Sequence, residues 1–343
     1  MTPTLSTLNH AEHPVPEVRY DRTIDRTLVH RAAVAEVFVT DVVASGRDDV
    51  FVVGVQLPRR HGFYRSTDGR HDTLLLAEVL RQSVIAVAHS FYDVPLNSRF
   101  TMQLLGIAVP ERSSGLIVDD APAQLRVRIV VRNVHRRQSR VAALQVDLEF
   151  VRDGKIVATG TGDARIFDDS GYQKVRWGGA EPRTPGSPSM PIPVDPDAVG
   201  VVDREDVVLG RRRGEDSWPL RIDPTHPVLF DHSCDHVPGM LILEGIRQAV
   251  RLAVEDPQAI LTSIDARFMR FAELDAEVTV TVKRRSDSDD EFTVTCVQDG
   301  HPVADADVRL SVSRQNPSGR QQESEYSRGP EWPDRPATSS GPA

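Results

Sequence analysis

Leu76-Ala-Glu-Val-Leu-Arg-Gln-Ser83 and Ile242-Leu-Glu-Gly-Ile-Arg-Gln-Ala249 carry the same three polar residues at the same spacing inside two apolar segments. In each segment a glutamate is followed three residues later by an arginine and then by a glutamine, so all three lie on one face of a helix. Apolar residues cover most of the remaining surface, which is typical of a helix inside a core. The two copies predict a duplicated unit with a buried central helix in each half.

The elements predicted around the two helices also repeat. Short strand patterns precede each helix, at residues 35–43 and 50–57 in the first half and at 207–209 and 218–222 in the second. Helices are predicted over about 72–91 and 241–254, and four strand patterns follow each, at residues 99–109, 124–134, 140–151 and 156–166, and at 259–271, 276–284, 291–298 and 303–312. Asp153-Gly154 and Asp299-Gly300 mark the same late hairpin turn. This agreement predicts a gene duplication.

One helix followed by four strands excludes a doubly wound fold, because parallel strands need a crossover helix each. We therefore predict an α+β fold in which a curved antiparallel sheet wraps each long central helix, with the two sheets joined side by side. The predicted segments are a disordered N-terminus (1–25), the first repeat (26–167), a Pro/Gly-rich linker without helix or strand (168–203), the second repeat (204–313) and a disordered tail (314–343).

Composition excludes several classes of function. The chain of 343 residues has a formal net charge of −9, which argues against a nucleic-acid partner. Its two cysteines suggest a reducing compartment. Asn9, His10 and Glu12 stand where a secretion leader would be apolar, so we expect no leader, and no apolar run of about 18 residues is uninterrupted. We expect a cytoplasmic protein with no membrane partner, no cofactor and no metal site. Neither a Walker loop for a nucleotide nor the nucleophile elbow of a serine hydrolase occurs in the sequence.

The loop before the second helix reads Asp231-His-Ser-Cys-Asp-His-Val-Pro-Gly-Met240 and leads into Glu244. This arrangement resembles the hotdog acyl-thioester dehydratases, although His232 stands closer to Pro-Gly than their catalytic histidine does. Together with Val29-His30-Arg31 and the two triplets, it resembles more closely the A-factor biosynthesis (AfsA-type) hotdog family of γ-butyrolactone synthases, over residues 25–313. The resemblance implies a tandem double hotdog fold.

The same resemblance implies acyl transfer from a β-ketoacyl thioester, on acyl carrier protein or coenzyme A, to the hydroxyl of dihydroxyacetone phosphate. Ring closure would then yield a butenolide, butyrolactone or furan signal that controls antibiotic production and secondary metabolism. A hotdog dehydratase or thioesterase and a non-catalytic acyl-binding regulator are the alternatives. A homodimer stays open, because a fused pair already satisfies the pairing that a single unit needs.

The chemistry needs a base, oxyanion donors and cations for a phosphate. We expect the two triplet faces to meet across the pseudo-twofold axis, with Glu78 or Glu244 as base. Arg247 is assigned to phosphate or oxyanion, and His232 to a second base or oxyanion donor. The substrate-binding candidates are Arg81, Gln82, Gln248, Asp231, Arg99 and Arg267.

Structural roles compete with these assignments. Each Glu and Arg could form an i,i+3 salt bridge while the Gln caps a sheet edge, an arrangement that adds little net stability when buried. His232 could order its loop through hydrogen bonds. His232, Cys234 and His236 could form a metal site, but their alternation does not match usual zinc spacing. Cys234 as a nucleophile lacks a third orienting group in the sequence.

Overall fold

A computed structural model describes residues 16–110, 114–286 and 288–311. In the first repeat, short 3₁₀ turns at Arg26–Val29 and Val34–Glu36 precede the first strand. One long helix then lies among six strands: β1 (Val39–Ala44), β2 (Val50–Leu57), α1 (Thr73–Phe91), β3 (Arg99–Ala108), β4 (Ala123–Arg137), β5 (Arg140–Arg152) and β6 (Lys155–Phe167), with a 3₁₀ turn at Ser114–Leu116.

The connection between the repeats contains two short helices, α2 (Asp169–Trp177) and α3 (Pro196–Val199). The expectation that residues 168–203 contain no helix is therefore wrong. Asp168 caps α2 by accepting a hydrogen bond from Gly171 N at 2.7 Å, and Gly178 ends the helix in the left-handed conformation. The proline- and glycine-rich sequence that suggested a linker begins only where α2 ends.

The second repeat contains the other long helix, α4, and five strands: β7 (Ser217–Pro219), α4 (Gly239–Val254), β8 (Ile260–Phe268), β9 (Val278–Arg284), β10 (Glu291–Gln298) and β11 (His301–Ser311), preceded by a 3₁₀ turn at Arg204–Asp206. The predicted strand at 207–209 is wrong. Val208 N donates to the Gln248 side chain at 3.0 Å, and only Leu209 forms an isolated bridge, to Leu220. The helix side chain takes the Val208 N–H, while Val208 O still accepts from Arg221 N at 2.8 Å, so the pairing with the neighbouring chain is too irregular to form a strand.

All strands form one antiparallel sheet in the order β1-β2-β4-β5-β6-β3-β8-β11-β10-β9-β7. The two repeats join where β3 pairs with β8, from Leu104 opposite Arg267 to Ala108 opposite Ser263. The prediction of an α+β fold with two sheet-wrapped helices and a shared sheet is confirmed. Residues 1–15 and 312–343, which include most of the two predicted disordered ends, lie outside the described residues.

The two long helices pack tightly against the sheet. A Cβ on Gly160 of β6 would lie 2.8 Å from Leu80 Cδ1, so glycine is what allows α1 to approach so closely. Helix α1 is long and apolar enough to cross a membrane by length and composition, but 78% of that window is buried inside the fold. This burial is typical of a core helix. The buried helix α1 carries Glu78, Arg81 and Gln82.

Candidate active site

In the first triplet the carboxylate of Glu78 is fully buried and accepts hydrogen bonds from several sides. Arg81 donates from Nε to Glu78 Oε2 and from Nη2 to Glu78 Oε1, both at 2.9 Å, and Gln82 Nε2 donates to Oε1 at 2.8 Å. Arg31, from the chain before β1, approaches the same oxygen with Nε at 3.0 Å and Nη2 at 2.6 Å. We call Glu78, Arg81, Gln82 and Arg31, with His232 described below, the α1 site.

This pairing decides the protonation of Glu78. Burial raises the pKa of the carboxyl, but Arg31 and Arg81 outweigh burial and lower the pKa to about 2. Both oxygens are occupied by guanidinium groups. Glu78 therefore has little tendency to accept a proton, and the structure gives no support to the hypothesis that it is the base.

A loop of the second repeat covers the α1 site. Arg31 Nη1 donates to Val228 O at 3.1 Å and lies 3.9 Å from Asp231 Oδ2. The Asp231 carboxylate in turn accepts from Ala32 N at 2.6 Å and from Ala33 N at 3.0 Å. Asp231 thus ties the two repeats together, and both of its carboxylate oxygens are used in doing so.

Arg81 and His232 are the accessible members of the α1 site. The Arg81 side chain is 21% exposed, and its Nη2 donates to Val29 O at 3.2 Å. The His232 side chain is 51% exposed, with Nδ1 3.8 Å from Asp231 Oδ2. Partial burial and the Arg81 charge lower the pKa of His232, so its imidazole is neutral at physiological pH. The α1 site therefore contains a guanidinium and a neutral imidazole that both reach solvent.

The second triplet is arranged differently. Gln248 Nε2 donates to Glu244 Oε1 at 2.7 Å, and Arg247 Nη2 lies 2.6 Å from Glu244 Oε2. Arg247 Nη1 also donates to Asp72, the residue that caps α1 by accepting from Leu74 N at 2.8 Å. We call Glu244, Arg247, Gln248 and Asp72 the α4 site.

The α4 site is sealed. The Arg247 side chain is 6% exposed and that of Glu244 is fully buried. Burial raises the pKa of Glu244 and outweighs Arg247, because the guanidinium is shared with Asp72, whose charge also raises that pKa. Nothing in this arrangement offers a charged group to a ligand arriving from solvent.

We expected the two triplet faces to meet across the pseudo-twofold axis, but no hydrogen bond or ion pair joins them within residues 16–110, 114–286 and 288–311. The cross-repeat contacts run instead to the entrance of the other repeat's helix: Arg31, which binds Glu78 of the first triplet, contacts Val228 and Asp231, and Arg247 of the second triplet contacts Asp72. The sequence places each triplet on its helix correctly. It does not show what the facing loop contributes.

The two glutamines are used within the fold. Gln82 donates to Glu36 O at 2.7 Å and accepts from Phe38 N at 3.0 Å. Gln248 makes the same pair of bonds, to Asp206 O at 2.8 Å and from Val208 N at 3.0 Å. This is the structural role considered for them in the sequence, and it occupies both side-chain amides within the fold.

Arg99 and Arg267 lie outside both sites. Arg99 is 60% exposed and pairs with Asp169 at 3.4 Å, while Arg267 is 48% exposed and pairs with Asp305 at 2.7 Å. Their role in substrate binding is not supported, because both guanidinium groups lie at the surface with carboxylate partners. A surface cleft of about 630 Å³, lined by residues that include Arg204, Arg211 and Trp218, shares no lining residue with either site.

The side chains of the alternating segment His232, Cys234 and His236 do not converge on one site. His236 Nδ1 lies 2.6 Å from Asp235 Oδ1, and burial, with Asp235, raises the pKa of the Cys234 thiol to about 11. A thiol this weakly acidic is a poor nucleophile. In the described ranges no group of three or more His, Cys, Asp or Glu side chains is placed to hold a metal ion.

The sequence analysis missed two equivalent histidine–carboxylate pairs, one in each repeat. His61 Nδ1 accepts from Phe63 N and Tyr64 N, with Nε2 3.4 Å from Glu36 Oε1. In the second repeat His226 Nδ1 accepts from Val228 N and Leu229 N, with Nε2 3.3 Å from Asp206 Oδ1. Aligning the two halves on their triplets would have shown both histidines at similar distances before the helix.

Comparison with known proteins agrees with the fold. The family model for the A-factor biosynthesis hotdog domain matches residues 15–168 and 183–314. A Streptomyces virginiae protein named 2-oxo-3-(phosphooxy)propyl 3-oxoalkanoate synthase is 35% identical over 74% of this chain and 84% of its own length. One of the same name from Streptomyces coelicolor is 36% identical over 74% and 79%. An acyl-ACP thioesterase structure from Bacteroides thetaiotaomicron aligns at 13% identity and a TM-score of 0.47, covering 77% of this chain and 98% of that one.

Proposed function

This chain belongs to the A-factor biosynthesis hotdog domain family, and from that membership we propose that it is a 2-oxo-3-(phosphooxy)propyl 3-oxoalkanoate synthase. The reaction transfers a 3-oxoacyl group from a thioester to the hydroxyl of dihydroxyacetone phosphate. The observation that carries the proposal is that relatives of this name align over about three quarters of the chain at 35% and 36% identity. The ester can then close to a butenolide phosphate by intramolecular condensation.

We place the reaction at the α1 site. Arg81 is the cation that a phosphate or a thioester oxyanion can reach, because its side chain is partly exposed while Glu78 fixes its orientation. Glu78 and Arg31 act as positioning residues, and His232 supplies a neutral imidazole at the same opening. Glu244, Arg247 and Gln248 hold the second repeat together and do not contact substrate.

The donor is a 3-oxoacyl thioester carried by acyl carrier protein or coenzyme A, and the protein works in the cytoplasm, where both carriers are found. A thioester donor suits a site of this kind, since transfer needs only a base, an oxyanion donor and a leaving thiolate. At the α1 site the guanidinium of Arg81 and the imidazole of His232 can serve as donors to the oxyanion.

One incubation tests this function. Purified protein is mixed with a 3-oxoacyl thioester of coenzyme A or of acyl carrier protein, with and without dihydroxyacetone phosphate, and products are followed by mass spectrometry. We expect a phosphorylated ester or butenolide that requires both substrates. Release of free 3-oxo acid at the same rate in both mixtures would instead identify a thioesterase, and loss of water from a 3-hydroxyacyl thioester would identify a dehydratase.

A further inference from the structure

Two histidines beside the α1 site form a hydrogen-bonded pair. His89, near the end of α1, and His30, before β1, place their Nε2 atoms 3.0 Å apart. His89 Nδ1 lies 2.8 Å from Val94 O, and the Phe100 ring meets both imidazoles edge-on, with ring centroids 5.3 Å away in each case. The pair is thus fixed by a carbonyl on one side and an aromatic ring on another.

The carbonyl determines where the protons lie. Val94 O can only accept, so His89 Nδ1 carries a hydrogen and its Nε2 holds a lone pair when the ring is neutral. The hydrogen between the rings therefore belongs to His30 Nε2. In a neutral ring this leaves the lone pair of His30 on Nδ1.

His30 also occupies an unusual backbone position next to the accessible arginine. It has a φ of 53°, in the left-handed region that a residue with a side chain adopts at some cost, and it directly follows Val29, whose carbonyl accepts from Arg81. In the second repeat the residue that ends the equivalent turn is Gly200, with a φ of 68°. The strained position thus carries an imidazole only in the repeat whose site is accessible.

We propose that His30 is the general base of the transfer and that His89 is a positioning residue that fixes its tautomer. The proposal rests on the proposed function. His30 Nδ1 takes the proton of the acceptor hydroxyl as its oxygen bonds to the thioester carbonyl carbon. The C–S bond then breaks, the electron pair leaves with sulfur, and the proton passes from His30 to the thiolate, so the base is regenerated and a thiol is released.

Burial and charged neighbours set the pH at which this base works. Burial is the largest cause, and together with the nearby His89, Arg81 and His232 it lowers the pKa of His30 to about 4, against a hydrogen bond with the Leu96 backbone that raises it. The lone pair is needed, so kcat/KM falls only when acid protonates His30. The acid limb should therefore lie below the ordinary histidine value of about 6.5.

The test compares His30→Gln, His89→Phe and the exposed control His135→Gln in the complete chain. We expect His30→Gln to lower kcat by about 10²–10⁴-fold with little change in the KM for dihydroxyacetone phosphate, and added imidazole to restore part of the rate to His30→Ala. His89→Phe keeps the ring contact with Phe100 but should lower kcat less and move the acid limb. His135→Gln should match the parent.

A second measurement does not depend on the variants folding. Long-range ¹H–¹⁵N correlation spectra of the parent should show His89 as the Nδ1–H tautomer and His30 as the Nε2–H tautomer; the opposite tautomers would overturn the proposal. If the parent protein makes the ester and the His30→Gln variant has the same kcat, the assignment of His30 as base is wrong while the proposed function stands. A parent that makes no ester would overturn the proposed function, and this base with it.

Discussion

The α1 and α4 sites use the same three residues to opposite effect. At the α1 site two guanidinium groups, Arg31 and Arg81, meet the single carboxylate of Glu78. At the α4 site two carboxylates, Glu244 and Asp72, meet the single guanidinium of Arg247. Only the first arrangement leaves a partly exposed cation.

The difference shows how a duplicated core can separate folding from chemistry. In both repeats the glutamine ties the long helix to the chain before it, and the Glu–Arg pair supports that contact. What differs is the facing residue, the Val29 carbonyl at Arg81 and the Asp72 carboxylate at Arg247. The Val29 carbonyl adds no second negative charge at Arg81, whereas Asp72 adds a second carboxylate at Arg247, so we expect an anionic ligand to bind more readily at the α1 site.

Exchanging each arginine for alanine should give the largest contrast. Arg81→Ala leaves Glu78 bound to Arg31 and Gln82, so it should fold normally and lose about 10²–10³-fold in kcat/KM. Arg247→Ala leaves two buried carboxylates without their cation and should lower the free energy of unfolding by about 3–5 kcal/mol. Enzyme kinetics and chemical denaturation measure the two effects, and reversed effects would refute the assignment of the active site.

Replacing each glutamate by glutamine should change the free energy of unfolding with a different pH dependence at the two sites. The pKa of Glu78 falls on folding from 4.5 to about 2, so its contribution to stability is present above pH 4.5 and is lost as the pH falls towards 2. The pKa of Glu244 rises on folding, so its contribution becomes less favourable as the pH rises above 4.5. We expect Glu78→Gln to cost about 3–5 kcal/mol at pH 7 and Glu244→Gln to cost less.

Denaturation of each variant beside the parent between pH 3 and pH 7 measures these differences, because all other titrating groups cancel. The stability gap to Glu78→Gln should widen as the pH rises, while the gap to Glu244→Gln should narrow. Gaps that change in the same direction would show that the two carboxylates have the same environment.

Releasing the loop that covers the α1 site should have a moderate effect. Asp231→Asn keeps the shape of the side chain but weakens its bonds to Ala32 N and Ala33 N, with an expected loss of about 1–3 kcal/mol. His232 then loses its orienting neighbour, so kcat/KM should fall together with stability. If only stability falls, the loop closes the fold without shaping the site.

The smallest effects are expected at Arg99 and Arg267. Both form exposed pairs, so Arg99→Ala and Arg267→Ala should change the free energy of unfolding by less than about 1 kcal/mol and leave kcat/KM unchanged. A large loss of activity in either variant would move the substrate site towards that residue, the start of β3 for Arg99 or the junction of β3 and β8 for Arg267.

The sequence predicts the fold well because periodicity and duplication are local signals. The triplet spacing placed both helices, and the repeated strand patterns gave the joined sheet. The site was harder, because the residues that distinguish the two copies, Arg31, Asp72 and His30, are far from their partners in the chain. Identical triplets cannot show which of them faces a carboxylate.

A crystal structure with dihydroxyacetone phosphate and an unreactive 3-oxoacyl amide tests the central claim most directly. We predict that the ligand lies against Arg81, between α1 and the loop at residues 231–236, with its phosphate or acyl oxygen within hydrogen-bond distance of the guanidinium. Ligand bound against Arg247, with the α4 site opened and no ligand at Arg81, would contradict the account.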